Sequence, residues 1–281
     1  MWRIGAVRAL PNGLRATRKR RLRGVSLQTR RSQSTRLTSP LKLESRMSPA
    51  ARTPVVNRLF DALPRSARRA VLEQSELIEL TFGDVLCEPG ARIQDVYFPT
   101  SSLISVIAVL DGDVSLEVAL VGNEGMLGIP LVLGVDSSPL RAVVQGTGGA
   151  WRMQGTHFRR VLATSPALRR ELDTYMYVLL TQFAQGAACT SFHLLEARLA
   201  YWLLMTQDRT YDNSFYLTHS LLAKMLGVRR SGVTTAAGAL QRRKLIRYSR
   251  GGITILDRKG LEQASCGCYD VMTAAYARLS A

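Results

Sequence analysis

Ten lysines and arginines (Lys224, Arg229, Arg230, Arg242, Arg243, Lys244, Arg247, Arg250, Arg258 and Lys259) fall between residues 217 and 260 against the single acid Asp257, a local charge of +9. Cations at this density suit a polyanion, and the chemistry they imply is binding rather than bond-breaking. The residues between them supply a frame. Thr218 is a good N-cap for a short helix over 219–226, with Leu222, Met225 and Leu226 turned inward, and Gly227 permits a tight turn after it. A second helix is expected from Arg230 to Lys244. Val233, Ala237 and Leu240 share its inner face with Ala236 beside them, while Ser231, Thr234, Thr235 and Gly238 leave the opposite face small. The run LIRYSRGGITIL (245–256) then reads as a hairpin with Gly251-Gly252 as its two-residue turn. Helix, turn, small-faced helix and hairpin together predict a winged helix-turn-helix.

Within that frame each polar side chain has an expected task on duplex DNA. Small residues let the second helix sit deep in the major groove, where Arg230 can bond a guanine edge in bidentate fashion. Thr234 and Thr235 can meet phosphate oxygens or thymine methyls, and Arg247 and Arg250 near the wing tip should touch phosphates. Thr218, Arg229 and Ser231 complete the expected DNA-binding set. The bland alternative is a solvated basic helix in an interaction domain.

Other constellations are weaker. Cys189 and His193, four apart on a helix, could ligate a metal or haem, but a buried thiol beside a satisfied histidine is the commoner meaning of that spacing. Cys266 and Cys268 stand too close together for the usual finger spacing and have no second pair near them in sequence, so a structural role is expected, with redox sensing as the alternative. No metal is therefore expected. The three histidines (His157, His193, His219) sit in no nucleophile or general-base motif, and neither catalytic residues nor an enzyme are expected.

The elements that must position the basic segment follow from composition. A chain of 281 residues with 46% hydrophobic residues has room for two modest domains. The net charge of +17 is uneven: +13 over 1–52, −4 over 53–216, +9 over 217–260 and −1 over 261–281. Residues 1–52 are rich in Arg, Ser and Thr and cannot bury enough surface to offset chain entropy, so a disordered tail is expected. A nucleic-acid-binding arm, an organellar transit peptide and a true translation start at Met47 compete as explanations, the last being favoured. Four scattered cysteines (Cys87, Cys189, Cys266, Cys268) form no disulfide framework and fit a reducing, cytoplasmic setting, and no apolar run is long enough for a membrane span.

From Val55 onward the pattern is ordered. Val56, Leu59, Phe60 and Leu63 recur at helical spacing up to Pro64, and a second helix is expected over 65–74. Strand-like runs follow at 76–80, at 84–87, at 95–98 and at 102–110. The turn Asp111-Gly112-Asp113 leads into 114–121, where Val114, Leu116, Val118 and Leu120 alternate with Ser115, Glu117 and Ala119 as in a half-buried strand. Further strands at 140–145 and 150–153 complete an antiparallel barrel or jelly roll. Ser165 and Pro166 then open a long helix over 166–188. Its stripe Leu168, Leu172, Tyr175, Leu179 and Phe183 could face either a partner helix or the chain's own roll.

The spacing Gly83…Leu86…Gly90…Val96-Tyr97-Phe98, with the winged segment more than a hundred residues later, resembles the Crp/Fnr family of bacterial transcription regulators over about 55–262. The runs VYFPTS, VGNEGMLGI, RAVVQ, LGVRRSGVT and YSRGGITILDR, and a closing Cys-x-Cys-Tyr helix, resemble one subgroup of it. The resemblance implies an α+β chain: a cyclic-nucleotide-binding-like antiparallel β-roll (jelly roll) over 53–165, a dimerisation helix over 166–188, a winged helix-turn-helix over 189–262 and a C-terminal helix over 263–281. It also implies a homodimer on a palindromic operator, with double-stranded DNA and a second copy as partners and RNA polymerase as an open one. In nucleotide-binding members a Gly-Glu turn holds the ribose, and an Arg followed by Ser or Thr holds the cyclic phosphate. Glu124 and Arg141 match those two charges, but Asn123 replaces the glycine, Ala142 replaces the hydroxyl residue and the intervening loop is longer. An effector pocket at Glu124 and Arg141 is thus implied, with the two paired to each other or sharing a small anion. Cyclic nucleotide is disfavoured there, and no cofactor is expected. The cysteine-free 1–60 region lacks the cluster of iron–sulfur members, and Ser231 stands where relatives place a Glu, so a different operator is implied. A ligand-sensing module that docks a protein instead of DNA is the competing function.

Overall fold

The structure, a computed structural model, describes residues 56–110, 114–249 and 251–280. The expectations for the tail 1–52, for a start at Met47, for the turn 111–113 and for Arg250 lie outside the described residues. Two short helices open the described chain, α1 (Arg58–Asp61) and α2 (Arg65–Glu73). Asn57 starts α1 because its side chain accepts from the Leu59 amide and donates to the Pro99 and Gly125 carbonyls, so one buried amide ties the entry helix to a strand end and a loop of the next module.

Seven strands follow: β1 (Glu76–Leu80), β2 (Val85–Cys87), β3 (Asp95–Pro99), β4 (Leu103–Val109), β5 (Ser115–Val121), β6 (Arg141–Gly146) and β7 (Gly148–Gln154). They pair antiparallel throughout in two sheets, ordered β1-β7-β3 and β2-β6-β4-β5, which is the expected β-roll. Buried Ile104, Val106, Ala119, Val121, Ala142 and Val144 fill it from the larger sheet, while Leu103 and Leu120 pack in the core shared with the helices. One expectation fails in detail. β5 does not alternate between covered and exposed positions, because helices of the C-terminal half pack on its outer side.

After α3 (Gly155–Thr164), Ser165 caps α4 by accepting from the Leu168 amide at 3.3 Å, and Pro166 occupies its first turn. α4 (Pro166–Phe192) runs four residues past the expected end at 188. Leu168, Leu172 and Tyr175 are fully buried in the chain's own core, and Leu179 and Phe183 pack half-buried against it. The stripe expected for a partner helix is therefore the inward face. The outer face carries Tyr177 at 52% and Leu180 at 66% exposure, followed by exposed Ala184 and Ala187.

α5 (Leu195–Thr210) is the central helix of the C-terminal half, burying Leu199, Trp202, Leu203 and Leu204. Around it lie β8 (Ser214–Tyr216), α6 (His219–Leu226), α7 (Arg230–Arg242), β9 (Ile246–Ser249) and β10 (Gly252–Ile255), with the sheet ordered β8-β10-β9. This is a winged helix with a third strand. α8 (Arg258–Ala264) and α9 (Cys268–Ala277) close the chain, α9 lying back on α4. Among the described residues no helix is long and apolar enough to cross a membrane.

Candidate nucleic-acid interface

α6 begins where Thr218 accepts from the Leu221 amide at 3.2 Å and ends at Gly227, which takes the left-handed conformation with φ +64°. A side chain at Gly227 would be strained there and would displace the Leu116 side chain of β5 slightly, so the turn favours glycine. Arg198 of α5 donates to the Leu226 carbonyl at 2.6 Å and satisfies the end of the same helix.

α7 buries Val233, Ala236, Ala237 and Leu240 and leaves Arg229, Arg230, Ser231, Thr234 and Thr235 exposed. The 3.6-residue period does this without further help: the four apolar side chains fall on one face, the small polar ones on the other. Arg229 stands at the N-cap and Arg230 at the first helical position. The hydroxyls of Thr234 and Thr235 donate to the carbonyls of Arg230 and Ser231, each at 3.1 Å, which fixes their rotamers one turn back along the helix. The helix ends two residues short of the expected Lys244, which itself turns the chain at φ +60°.

His219 joins the three parts of the motif. Its Nδ1 lies 3.0 Å from Thr234 Oγ1, and its ring stacks on Tyr248 of β9 at 4.1 Å between centroids. Partial burial, with the Arg230 guanidinium adding to it, holds its pKa below the ordinary histidine value. Gln241 Oε1 accepts from the Tyr248 amide at 2.8 Å, a second tie between α7 and the wing. In the wing, Ser249 pairs with Gly252, so Gly252 belongs to β10 and Gly251 (φ +86°) provides the turn, one residue earlier than the expected Gly251-Gly252 pair. Arg247 is exposed on β9.

Thr218, Arg229, Arg230, Ser231, Thr234, Thr235 and Arg247 are thus all exposed on α6, α7 and the wing. Two cations of the basic segment are engaged elsewhere. Arg243 pairs with Glu196 at 2.8 Å, and Arg258 bonds Asp208, Glu262, Gln207 and Tyr269 at 2.6–2.9 Å, holding α8 to α5.

The two residues expected to share an effector pocket are not brought together. Arg141 pairs with Glu88 at 2.8 Å at the surface, and Glu124 pairs with Arg209 of α5 at 2.9 Å in the interior. Burial works against the Arg209 charge, and the Glu124 carboxylate, with Tyr276 and Tyr201 beside it, more than restores it. The cavity inside the roll, beneath Leu86, Val106, Leu127, Gly128 and Ala142, has a volume of about 30 Å³ and is lined by neither charge. That is far below the roughly 300 Å³ at which small-molecule pockets begin.

A larger cavity lies where the roll meets the C-terminal half. It measures about 370 Å³, and Leu116, Val118, Phe183, Trp202, Met225 and Leu226 are among its walls. Glu117 points into this apolar setting, accepting from Trp202 Nε1 at 2.6 Å and from the Ser105 hydroxyl. Burial pushes its carboxyl up to about 7, against the downward pull of those two hydrogen bonds. Neither Glu117, Arg209 nor His219 was anticipated from sequence. Arg209 had a signal, since it continues the inward Trp202–Met205 spacing of α5 with a charge that must find a partner.

The family described as the Crp-like helix-turn-helix domain matches residues 197–264. A putative Crp/Fnr-family transcriptional regulator from Eubacterium rectale is similar in structure with a TM-score of 0.59, at 17% identity over 73% of this chain and 96% of its own. FixK2 from Bradyrhizobium japonicum also gives 0.59, at 13% identity over 68% and 98%. A CRP-family transcriptional regulator from Thermus thermophilus gives 0.56, at 16% over 67% and 96%. No curated protein sequence matches the chain. The chain therefore shares the fold of these Crp/Fnr regulators and carries a Crp-like helix-turn-helix domain at residues 197–264.

Proposed function

We propose that this chain regulates transcription by binding duplex DNA sequence-specifically as a homodimer, with α7 in the major groove and the wing on the flanking backbone. The observation that carries the reading is the division of α7. Its apolar residues are fully engaged with the domain, whereas Arg229, Arg230, Ser231, Thr234 and Thr235 form an exposed face of small polar side chains headed by two guanidiniums. A helix with that face can approach base edges closely, and Arg230 can reach a guanine. The His219 tie to Thr234 and Tyr248 sets helix and wing in one register, so that Arg247 meets phosphates while α7 reads bases.

The outer face of α4 supports the dimer. Tyr177, Leu180, Ala184 and Ala187 recur at spacings of three, four and three, the pattern of a two-helix seam. Control by an effector is best served by the cavity of about 370 Å³ between β5, α4, α5 and α6, because a ligand there touches both the roll and the first helix of the DNA-binding motif. It shifts the equilibrium only by binding one arrangement of the two more tightly than the other.

Selection from a random duplex library with the full chain tests the reading. Enrichment of a two-fold symmetric sequence whose half-sites lie about one helical turn, roughly 34 Å, apart is the expected result. Recovery of no consensus, with weak binding of all duplexes alike, would favour the competing protein-docking module.

A further inference from the structure

The four residues Cys189, His193, Cys266 and Cys268 come from two distant stretches of sequence, and the fold brings their donor atoms together. All four lie within 4.8 Å of one another. Cys189 Sγ is 3.6 Å from Cys266 Sγ, and Cys268 Sγ is 3.3 Å from His193 Nδ1. Along the chain Cys266-x-Cys268 stands alone, because its partner pair sits at the far end of α4. Cys189 lies in the last turn of that helix, and His193 caps it through its amide, which donates to the Cys189 carbonyl at 3.1 Å.

From this arrangement we infer that Cys189, His193, Cys266 and Cys268 form a Cys₃His site for a single zinc ion, one that clasps the two ends of the DNA-binding domain to the long helix α4.

Three thiolates and an imidazole are a closed, structural set of zinc ligands. Zinc–sulfur bonds of about 2.3 Å in a tetrahedron place neighbouring sulfurs about 3.8 Å apart, close to the separations found here. An iron–sulfur cluster interposes its own sulfides between several irons and needs its thiolates spread well beyond one ion's coordination sphere. The surroundings fit as well. The three cysteines are 8% exposed or less and pack with Ala197 and Tyr201, whereas His193 is exposed and leaves a path for the ion. Gln185, one turn before Cys189, donates from Nε2 to Cys268 Sγ at 3.1 Å, an outer contact that orients a thiolate ligand. Loading is balanced without any oxidant: as the three sulfur–zinc bonds form, three thiol protons leave to solvent and zinc stays divalent.

The position gives the site its meaning. Cys189 and His193 immediately precede the Crp-like domain at 197–264, and Cys266 and Cys268 immediately follow it. One ion therefore fixes both the entry and the exit of that domain against α4, and holds the start of α9 in place.

The test uses the full chain, purified under reductant and without chelator. Elemental analysis should find about one zinc per chain, and cobalt(II) in its place should give the strong visible bands and sulfur-to-cobalt charge transfer of a tetrahedral thiolate site. Cys266→Ser should weaken metal binding by on the order of tenfold or more in competition with a chromophoric chelator. His193→Ala, at an exposed position, should keep the circular dichroism of the unsubstituted chain while losing affinity and altering the cobalt spectrum. The inference is overturned if the reduced chain takes up no zinc or cobalt, or if either variant binds metal as the unsubstituted chain does. Iron with acid-labile sulfide, or a Cys189–Cys266 disulfide in the reduced, metal-exposed protein, would overturn it equally.

Discussion

Arg209 of α5 and Glu124 of the roll meet at 2.9 Å, and each side chain is only 4% exposed. The pair closes the contact between the two halves of the described chain. The Gly122 amide also donates to Glu124 at 3.1 Å, and a Cβ at Gly122 would lie 2.9 Å from the Arg209 side chain, so glycine is needed for the approach. Glu124 is thus an internal anchor, paired with Arg209 and not with Arg141. Removing one partner leaves the other charge buried and alone, so Arg209→Met should cost about 3–5 kcal/mol. The double variant Arg209→Met with Glu124→Leu should cost clearly less than the sum of the single changes, as read from urea unfolding of all four proteins. Additive costs would mean that the two charges do not depend on each other.

Glu117 should make stability depend on pH. Its folded-state pKa of about 7 lies above the ordinary carboxyl value of 4.5, so the folded chain holds a proton that the unfolded chain releases. The resulting stabilisation is full below about pH 4.5 and is lost as pH rises through about 7. Glu117→Gln keeps an acceptor for Trp202 and cannot ionise. Thermal melts from pH 5 to 8 should show the unsubstituted chain losing several degrees of Tm beyond what the variant loses. Parallel curves for the two proteins would show that the carboxyl is not held protonated.

How much of this was legible follows from the range of each interaction. The helix–Gly227–helix segment was read almost to the residue, because caps, period and turn chemistry act over a few positions. The wing turn was read one residue late, since two adjacent glycines offer the same backbone freedom and only the Ser249–Gly252 pairing decides between them. α4 carries apolar residues on two faces, and which one turns inward depends on the roll, not on the helix. The Glu124–Arg209 pair and the four-residue cysteine–histidine cluster span about 75–85 positions, beyond any local pattern.

The outward face of α4 makes the third prediction. Leu180 is 66% exposed in the single chain, and Leu180→Glu there should preserve the fold while placing like charges across a two-helix seam. Leu172→Glu, by contrast, buries a charge in the core and should unfold the chain. Sedimentation should find dimers for the unsubstituted chain and folded monomers for Leu180→Glu. Unchanged dimers with Leu180→Glu would place the interface elsewhere.

Base reading by α7 is the central claim, and the salt dependence of binding to the selected operator, measured for Arg230→Ala and Arg247→Ala, tests it most directly. Arg230→Ala should lose about 1–3 kcal/mol at the operator and relax preference at one base pair in each half-site. Arg247→Ala should weaken operator and scrambled duplex alike and reduce the salt slope by about one unit per bound chain. If Arg230→Ala discriminates operator from scrambled duplex as well as the unsubstituted chain does, α7 does not read the sequence and the account fails.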